Sequence, residues 1–273
     1  MNIVTVIQAR TSSSRLPNKV LLPLCGEPLI VRMAQRVQQS CSAGKVVVAT
    51  SISPDDDVID RICEQHEINC FRGNLNDLLD RHYQTALKYH ADIVVKIPSD
   101  CPLIDPEIIN RVIDYFIANS QRLDYVSNLH PASYPDGNDV EIMSLTALEM
   151  AWKKASRPIE REHTTPYFWE NPHMFAIGNV TWESGLNFSS SHRWTVDYEE
   201  DYHFIKKVYD ELYPNNQNFG LENILSFLHE KPEIAKINRK YSGRYWYENH
   251  INELHHIDEF KQELKSRQNA LNI

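Results

Sequence analysis

Three cations crowd a loop of hydroxyl residues near the start of the chain. Arg10, Arg15 and Lys19 lie in QARTSSSRLPNKVLLPLCG, residues 8–26, and no acidic side chain follows until Glu27. An arginine fork can clamp two oxygens, a lysine supplies a compact point charge, and serines with loop amides can complete a cradle for a strongly negative ligand. The whole chain carries a formal charge of −9, so this positive cluster is local. It follows an apolar run at residues 3–7 and precedes a helical pattern, the setting in which α/β proteins hold phosphates on backbone N–H groups and a helix N-terminus. A second chemical segment is PSDCPLIDP, where Asp100 and Asp105 bracket a turn after the apolar run 93–97. A carboxylate just beyond a parallel strand points into the crevice where ligands bind, which suits Asp100. Asp105, before Pro106 and Glu107, has the pattern of a helix N-cap. Asp197, where a strand pattern hands over to a helix, can share a divalent cation with Asp100 or cap that helix.

The elements that must position these groups follow from hydrophobic period. Ile30, Met33, Ala34 and Val37 recur at helical steps within residues 29–39, and Val46, Val47 and Val48 form a strand. Pro54 and the aspartates Asp55, Asp56 and Asp57 open a helix through Cys63, their charge complementing its dipole. Helices at 74–89 and 106–118 flank the strand 93–97. From Tyr125 the pattern loosens: Pro131, Pro135, Asp136 and Gly137 give turn signals, and a short strand is predicted at 140–143. Helices are expected at 144–155 and 161–170, an extended stretch at 174–182, and further helices after Asp197, at 221–229 and at 257–271. This alternation predicts an α/β fold in one domain over residues 1–273, with an insertion near the site at about 125–182 and a helical C-terminal extension at about 220–273.

Composition narrows the function classes. Hydrophobic residues at 42%, charged at 24% and aromatic at 10% are ordinary for a globular protein. No apolar stretch approaches the roughly 18 residues of a membrane span, so a cytoplasmic protein without a membrane span is expected. Cys25, Cys41, Cys63, Cys70 and Cys101 form no CxxC pair and read as reduced thiols. The acidic balance argues against nucleic acid and for a small anionic ligand. His250, His255 and His256, among Glu and Asn, read as solvated helical residues rather than a metal site.

Taken together, IQARTSSSRLPNKVLLPLCGEPL, FRGNLNDLLDRHYQTA, DCPLIDP, YPDGNDVEI, EREHTTPYF and RWTVDYEEDYHFI resemble the cytidylyltransferase family typified by spore coat polysaccharide biosynthesis proteins. That family is related to the acylneuraminate and 3-deoxy-manno-octulosonate cytidylyltransferases, and the matches run in order from residue 3 to about residue 213. The resemblance implies a nucleotide-diphospho-sugar transferase (GT-A-like) three-layer fold with a mixed, mainly parallel sheet. It also implies CTP and a sugar as partners, Mg²⁺ as cofactor and a homodimer. The implied reaction is attack by a hydroxyl of an acidic or modified sugar of surface polysaccharide synthesis on the α-phosphorus of CTP, giving a CMP-sugar and pyrophosphate.

Roles carry over residue by residue. Arg10 and Lys19 would bind the β- and γ-phosphates and, with Asp100, carry catalysis. Arg15 would lie near the triphosphate and sugar. Gln8 and Ala9 would meet the base, and Arg72, Gly73, Asp77 and Arg81 would line the nucleotide pocket, although Arg81 could instead pair with Asp77 or Asp80 on its own helix. Asp100 and Asp197 would hold Mg²⁺ as hard oxygen ligands. Tyr134, Asp136, Asn138, Glu141, Glu162 and His163 are candidates for the sugar side, with a helix start competing at His163. The chain departs from the family pattern at Asn18, where Gly is usual, and at Pro98 and Ser99 before Asp100; Asn tolerates the backbone angles that Gly adopts. Two other classes remain: a glycosyltransferase of the same broad fold acting on a finished nucleotide-sugar, and a catalytically silent scaffold.

Overall fold

The computed structural model describes residues 1–244, 250, 253 and 254. The expected helix at 257–271, with His255 and His256, lies outside the described residues. The strands are β1 (Ile3–Gln8), β2 (Pro23–Leu24), β3 (Glu27–Pro28), β4 (Lys45–Ser51), β5 (Asn69–Gly73), β6 (Ile93–Pro98), β7 (Tyr125–Ser127), β8 (Glu141–Ser144) and β9 (Ile177–Asn179). The helices are α1 (Leu29–Gln38), α2 (Asp57–Gln65), α3 (Leu78–Lys88), α4 (Pro106–Asn119), α5 (Leu145–Lys154), α6 (Pro158–His163), α7 (Pro166–Trp169), α8 (Glu199–Leu212) and α9 (Leu221–Glu230).

Seven strands make one sheet in the order β5-β4-β1-β6-β8-β7-β9, with β8 antiparallel to both neighbours and every other pair parallel. Alternation along the strands builds the layers. Val4, Val6, Val47, Ala49 and Val94 join the core shared with Leu79, Ala147 and Phe168. Ile7, Val46, Val48, Val95 and Ile97 join the core shared with Ile30, Ile109, Phe204 and Ile224. The expected α/β, mainly parallel three-layer architecture is the one found.

Register decides where the chemistry emerges. Gln8 lies opposite Ala49 on one side and Pro98 on the other, so the residues after β1 and β6 leave the sheet at one edge. The polar, half-buried β5 and the three-residue β7 were not anticipated, because each is held by ladder pairing rather than by its own apolar period. The segment expected as an insertion at 125–182 supplies β7, β8 and β9, and so completes the sheet rather than standing beside it. Residues 161–170 divide into α6 and α7. All five cysteines are free.

Candidate active site

The cationic loop crosses the strand edge before a helix begins, with the β2–β3 hairpin between Lys19 and α1. The expected helix N-terminus is therefore not directly behind the cations; a short 3₁₀ turn at Lys19–Leu21 ends the loop instead. Asn18 adopts φ 59°, ψ 20°, the left-handed conformation that its side chain tolerates where Gly would be easiest. Asp56 anchors the loop's start. Its carboxylate accepts from Thr11 N and Thr11 Oγ1, both at 2.8 Å, and from Ser51 Oγ. Burial opposes its charge, but these donors hold its pKa below the usual carboxylate range. The aspartates at 55–57 thus do more than open a helix, since one of them ties the loop to β4.

Across the loop stand the carboxylates. Lys19 Nζ donates to Asp100 Oδ2 at 2.8 Å, to Asp197 Oδ1 at 3.0 Å and to Val196 O at 2.7 Å. Burial works against the ammonium, yet Asp100 and Asp197 outweigh it and raise the Lys19 pKa. Asp197 also meets Arg15 at 2.7 Å and Arg193 at 3.1 Å. Burial opposes its charge, but Lys19 and Arg15 hold its pKa down at about 2. The capping alternative for Asp197 does not hold: Asp201 accepts from Asp197 N and Tyr198 N at 3.0 and 3.1 Å, leaving the Asp197 carboxylate to face the cations. Asp105 does cap α4, accepting from Glu107 N at 2.8 Å.

These groups line one cavity of about 310 Å³. Of the residues singled out from sequence, Gln8, Ala9, Arg10, Arg15, Lys19, Arg81, Asp100, Tyr134, Asp136, Asn138, Glu141, Glu162, His163 and Asp197 all lie on its wall. Arg10 reaches Glu162 at 3.5 Å. Arg72 and Asp77 do not line it. Arg72 donates to Ser51 O and Ser53 O at 3.0 Å and pairs with Asp57 at 2.6 Å, fastening β5 to the turn after β4. Asp77 caps α3 through Asp80 N at 2.8 Å and pairs with Arg161 at 2.5 Å. Arg81 forms no ion pair with Asp77 or Asp80; it donates to Asn74 O at 2.7 Å and Leu75 O at 3.0 Å. Its burial, with Arg10 nearby, lowers its pKa to about 10.

The far wall is built by two segments zipped together. Asp136 N donates to His192 O at 2.9 Å and Trp194 N to Asp136 O at 2.7 Å. Gly137 permits that approach: at φ +104° any Cβ would sit 2.7 Å from the Trp194 carbonyl carbon. Asn138 braces the wall, its Oδ1 accepting from Asp105 N at 3.0 Å and its Nδ2 donating to Pro135 O at 3.1 Å. Tyr134 stacks on Trp182 at 5.7 Å. His163 ends α6 rather than starting a helix. Burial, with Lys96 nearby, lowers its pKa to about 3, so it is neutral near pH 7.

Four charged wall residues were missed: Lys96, Asp139, Arg193 and Arg244. Lys96 pairs with Glu141 at 2.5 Å, and Glu141 also accepts from Tyr125 Oη at 2.5 Å. A lysine inside the apolar strand IVVKIP was the signal, since a buried ammonium needs a partner. Arg193 bridges Asp136, Asp197 and Asp201 at 3.2, 3.1 and 3.0 Å. Asp139 lines the cavity, and burial with Asp100 nearby pushes its pKa up to about 7. Burial and Asp139 likewise raise Asp136, despite Arg193. Among the described residues no group of three or more carboxylate, His or Cys side chains forms a ready-made metal cage. Asp100 and Asp197 nevertheless converge on one cation, the Lys19 ammonium, so two hard oxygen donors are already placed to share a positive charge.

Comparison with known proteins identifies the family. The chain is 35% identical to an uncharacterized protein of Methanocaldococcus jannaschii over 87% of its own length and 95% of the relative's. It is 27% identical to the spore coat polysaccharide biosynthesis protein SpsF of Bacillus subtilis, over 86% of this chain and 97% of that one. A solved cytidylyltransferase of Leptospira borgpetersenii superposes with a TM-score of 0.81 at 32% identity, covering 86% of this chain and 97% of that one. No helix among the described residues is long and apolar enough to cross a membrane. Residues 4–237 match the family described as cytidylyltransferase, and the chain belongs to that family.

Proposed function

We propose that the protein transfers CMP from CTP to a hydroxyl of an acidic or modified sugar of surface polysaccharide synthesis, with Mg²⁺ as cofactor and release of pyrophosphate. The observation that carries this reading is the Lys19 ammonium held between Asp100 and Asp197 at the mouth of the cationic loop. A triphosphate brings about four negative charges into a small volume, so transfer is governed by positioning and electrostatics. Arg10, Arg15 and Lys19 supply the positive field for it, and each has a carboxylate partner that a phosphate can replace. Asp100 and Asp197 would hold the divalent cation, which when bound neutralises charge on the triphosphate. Gln8 adds a reason for cytosine: its Oε1 is buried at the strand end with no hydrogen-bond partner among the described residues, and the exocyclic amine of cytosine is a donor. In the transfer, the sugar hydroxyl gives up its proton to solvent as its oxygen forms a bond to the α-phosphorus, the bond from that phosphorus to the bridging oxygen breaks, and pyrophosphate leaves. Membership of a family whose SpsF relative is named for polysaccharide biosynthesis supports a sugar acceptor.

The test is pyrophosphate release with each nucleoside triphosphate, Mg²⁺ and a panel of sugars, run beside Asp100→Asn. CTP-specific release that is lost in the variant is expected. Release of CMP or a nucleoside diphosphate from a finished nucleotide-sugar, without pyrophosphate from any triphosphate, would overturn the reading in favour of glycosyl transfer. The homodimer suggested by the resemblance is checked by light scattering at micromolar concentration.

A further inference from the structure

A second cavity, of about 190 Å³, shares no lining residue with the cleft and is walled by α1 and α8. Two arginines one helical turn apart on α1 reach it. Arg32 is fully engaged: it donates to Leu24 O at 3.0 Å, Gln35 Oε1 at 2.8 Å, Tyr213 Oη at 2.7 Å and Cys25 O at 2.5 Å. Arg36 is 3% exposed and donates to Ile104 O at 2.8 Å and Phe219 O at 3.0 Å. Its third nitrogen, Nη1, is buried with no hydrogen-bond partner among the described residues.

Neither arginine forms an ion pair among the described residues. Asp105 acts on Arg36 from nearby, but its own oxygens accept from Glu107 N and Leu221 N. The Tyr209 phenol, pushed up to about 12 by burial, stays neutral and donates to Pro102 O at 2.8 Å. Arg36 is thus a buried cation with no ion pair among the described residues, steadied by the Phe219 ring at 4.4 Å and by Asp105 and Tyr209 nearby, yet with one nitrogen still without an acceptor, and a guanidinium does not escape this by losing its proton. A water could accept from Nη1 but would add no ion pair. A small oxyanion meets both needs, and it is the ligand that planar arginine donors match.

We propose that this cavity binds a small phosphate-class oxyanion, held by Arg36 and admitted past the exposed side chain of Gln39. The site touches the catalytic segment from behind. Arg36 holds the carbonyl of Ile104 and Tyr209 that of Pro102, both in the turn that presents Asp100. Occupancy would steady that turn.

Calorimetric titration of the full chain with inorganic phosphate, and separately with pyrophosphate, tests the site. Lys19→Met weakens anion binding in the cleft, and Gln39→Glu places a negative charge at the mouth of the second cavity without touching the cleft. Binding that survives Lys19→Met, and falls at least tenfold in Gln39→Glu and in Arg36→Gln, is expected. The stronger of the two anions identifies the source as free phosphate or as the pyrophosphate of nucleotidyl transfer. Should Arg36→Gln fail to fold, the Gln39→Glu comparison decides alone. Binding of both anions that is unchanged by Gln39→Glu, or no binding beyond what Lys19→Met removes, overturns the proposal.

Discussion

Lys19 Nζ sits 2.8 Å from Asp100 and 3.0 Å from Asp197, so the ammonium lies between the two carboxylates best placed to share a divalent ion. The cleft is self-neutralised: the cations proposed to meet a triphosphate are parked on carboxylates, which avoids the cost of unpaired buried charge. A nucleotide that draws Lys19 toward its phosphates would free both carboxylates at the same moment.

Lys19→Met is therefore expected to have two opposite effects. Loss of a preorganised charge should lower kcat/KM for CTP by about a hundredfold or more. Without nucleotide, Mn²⁺ should bind the variant more tightly than the wild type, because Asp100 and Asp197 have lost their internal counter-ion. Calorimetric Mn²⁺ titration of both proteins checks this; equal affinities would show that Lys19 does not compete with metal.

Arg193→Met should destabilise the fold by about 3–5 kcal/mol, since it takes from Asp136 and Asp201 their ion-pair partner, while Asp197 keeps Lys19 and Arg15. Urea unfolding at pH 7 measures the loss. A change below about 1 kcal/mol would mean that these carboxylates find other partners.

Gly137→Ala should cost roughly 1–3 kcal/mol, from backbone strain at φ +104° and the contact with Trp194. The two zipped segments would separate, so KM for the sugar should rise more than KM for CTP. Steady-state kinetics with each substrate varied in turn distinguishes this from a uniform loss.

Acid sensitivity should come in part from His82. Burial lowers its pKa to about 3, with a backbone bond to Leu78 O opposing. Between that value and the unfolded one near 6.5, the unfolded chain binds the extra proton, so stability falls as pH falls, by at most about 1.4 kcal/mol per pH unit. His82→Gln should flatten the stability profile between pH 6.5 and 4, measured by urea midpoints; an unchanged slope would assign acid sensitivity to other groups.

Much of the site was legible because its residues are chemically conspicuous where they stand. Arg10, Arg15 and Lys19 cluster in an acidic chain, and Asp100 follows an apolar strand, so type and position together pointed to one place, and the structure sets all four on the wall of one cleft. Arg72 and Asp77 lie in an equally suggestive stretch, yet the structure turns both to local tasks, one to β5 and one to the start of α3. A single sequence cannot separate a side chain that faces a cleft from one that faces its own turn. Asp56 and Arg193 were overlooked for the converse reason: their partners Thr11 and Asp136 lie far away in the chain.

The sequence alone determined the alternation of strands and helices, the placement of the cationic loop after β1 and the cap at Asp105, because hydrophobic period, side-chain charge and capping chemistry act over a few residues. The tertiary structure alone decided that residues 125–182 complete the main sheet, that Arg193 knots three carboxylates, and that Lys19 rests between Asp100 and Asp197. Those outcomes depend on which distant segments the sheet brings to one edge and on how buried charges there find each other, and neither is written in local spacing.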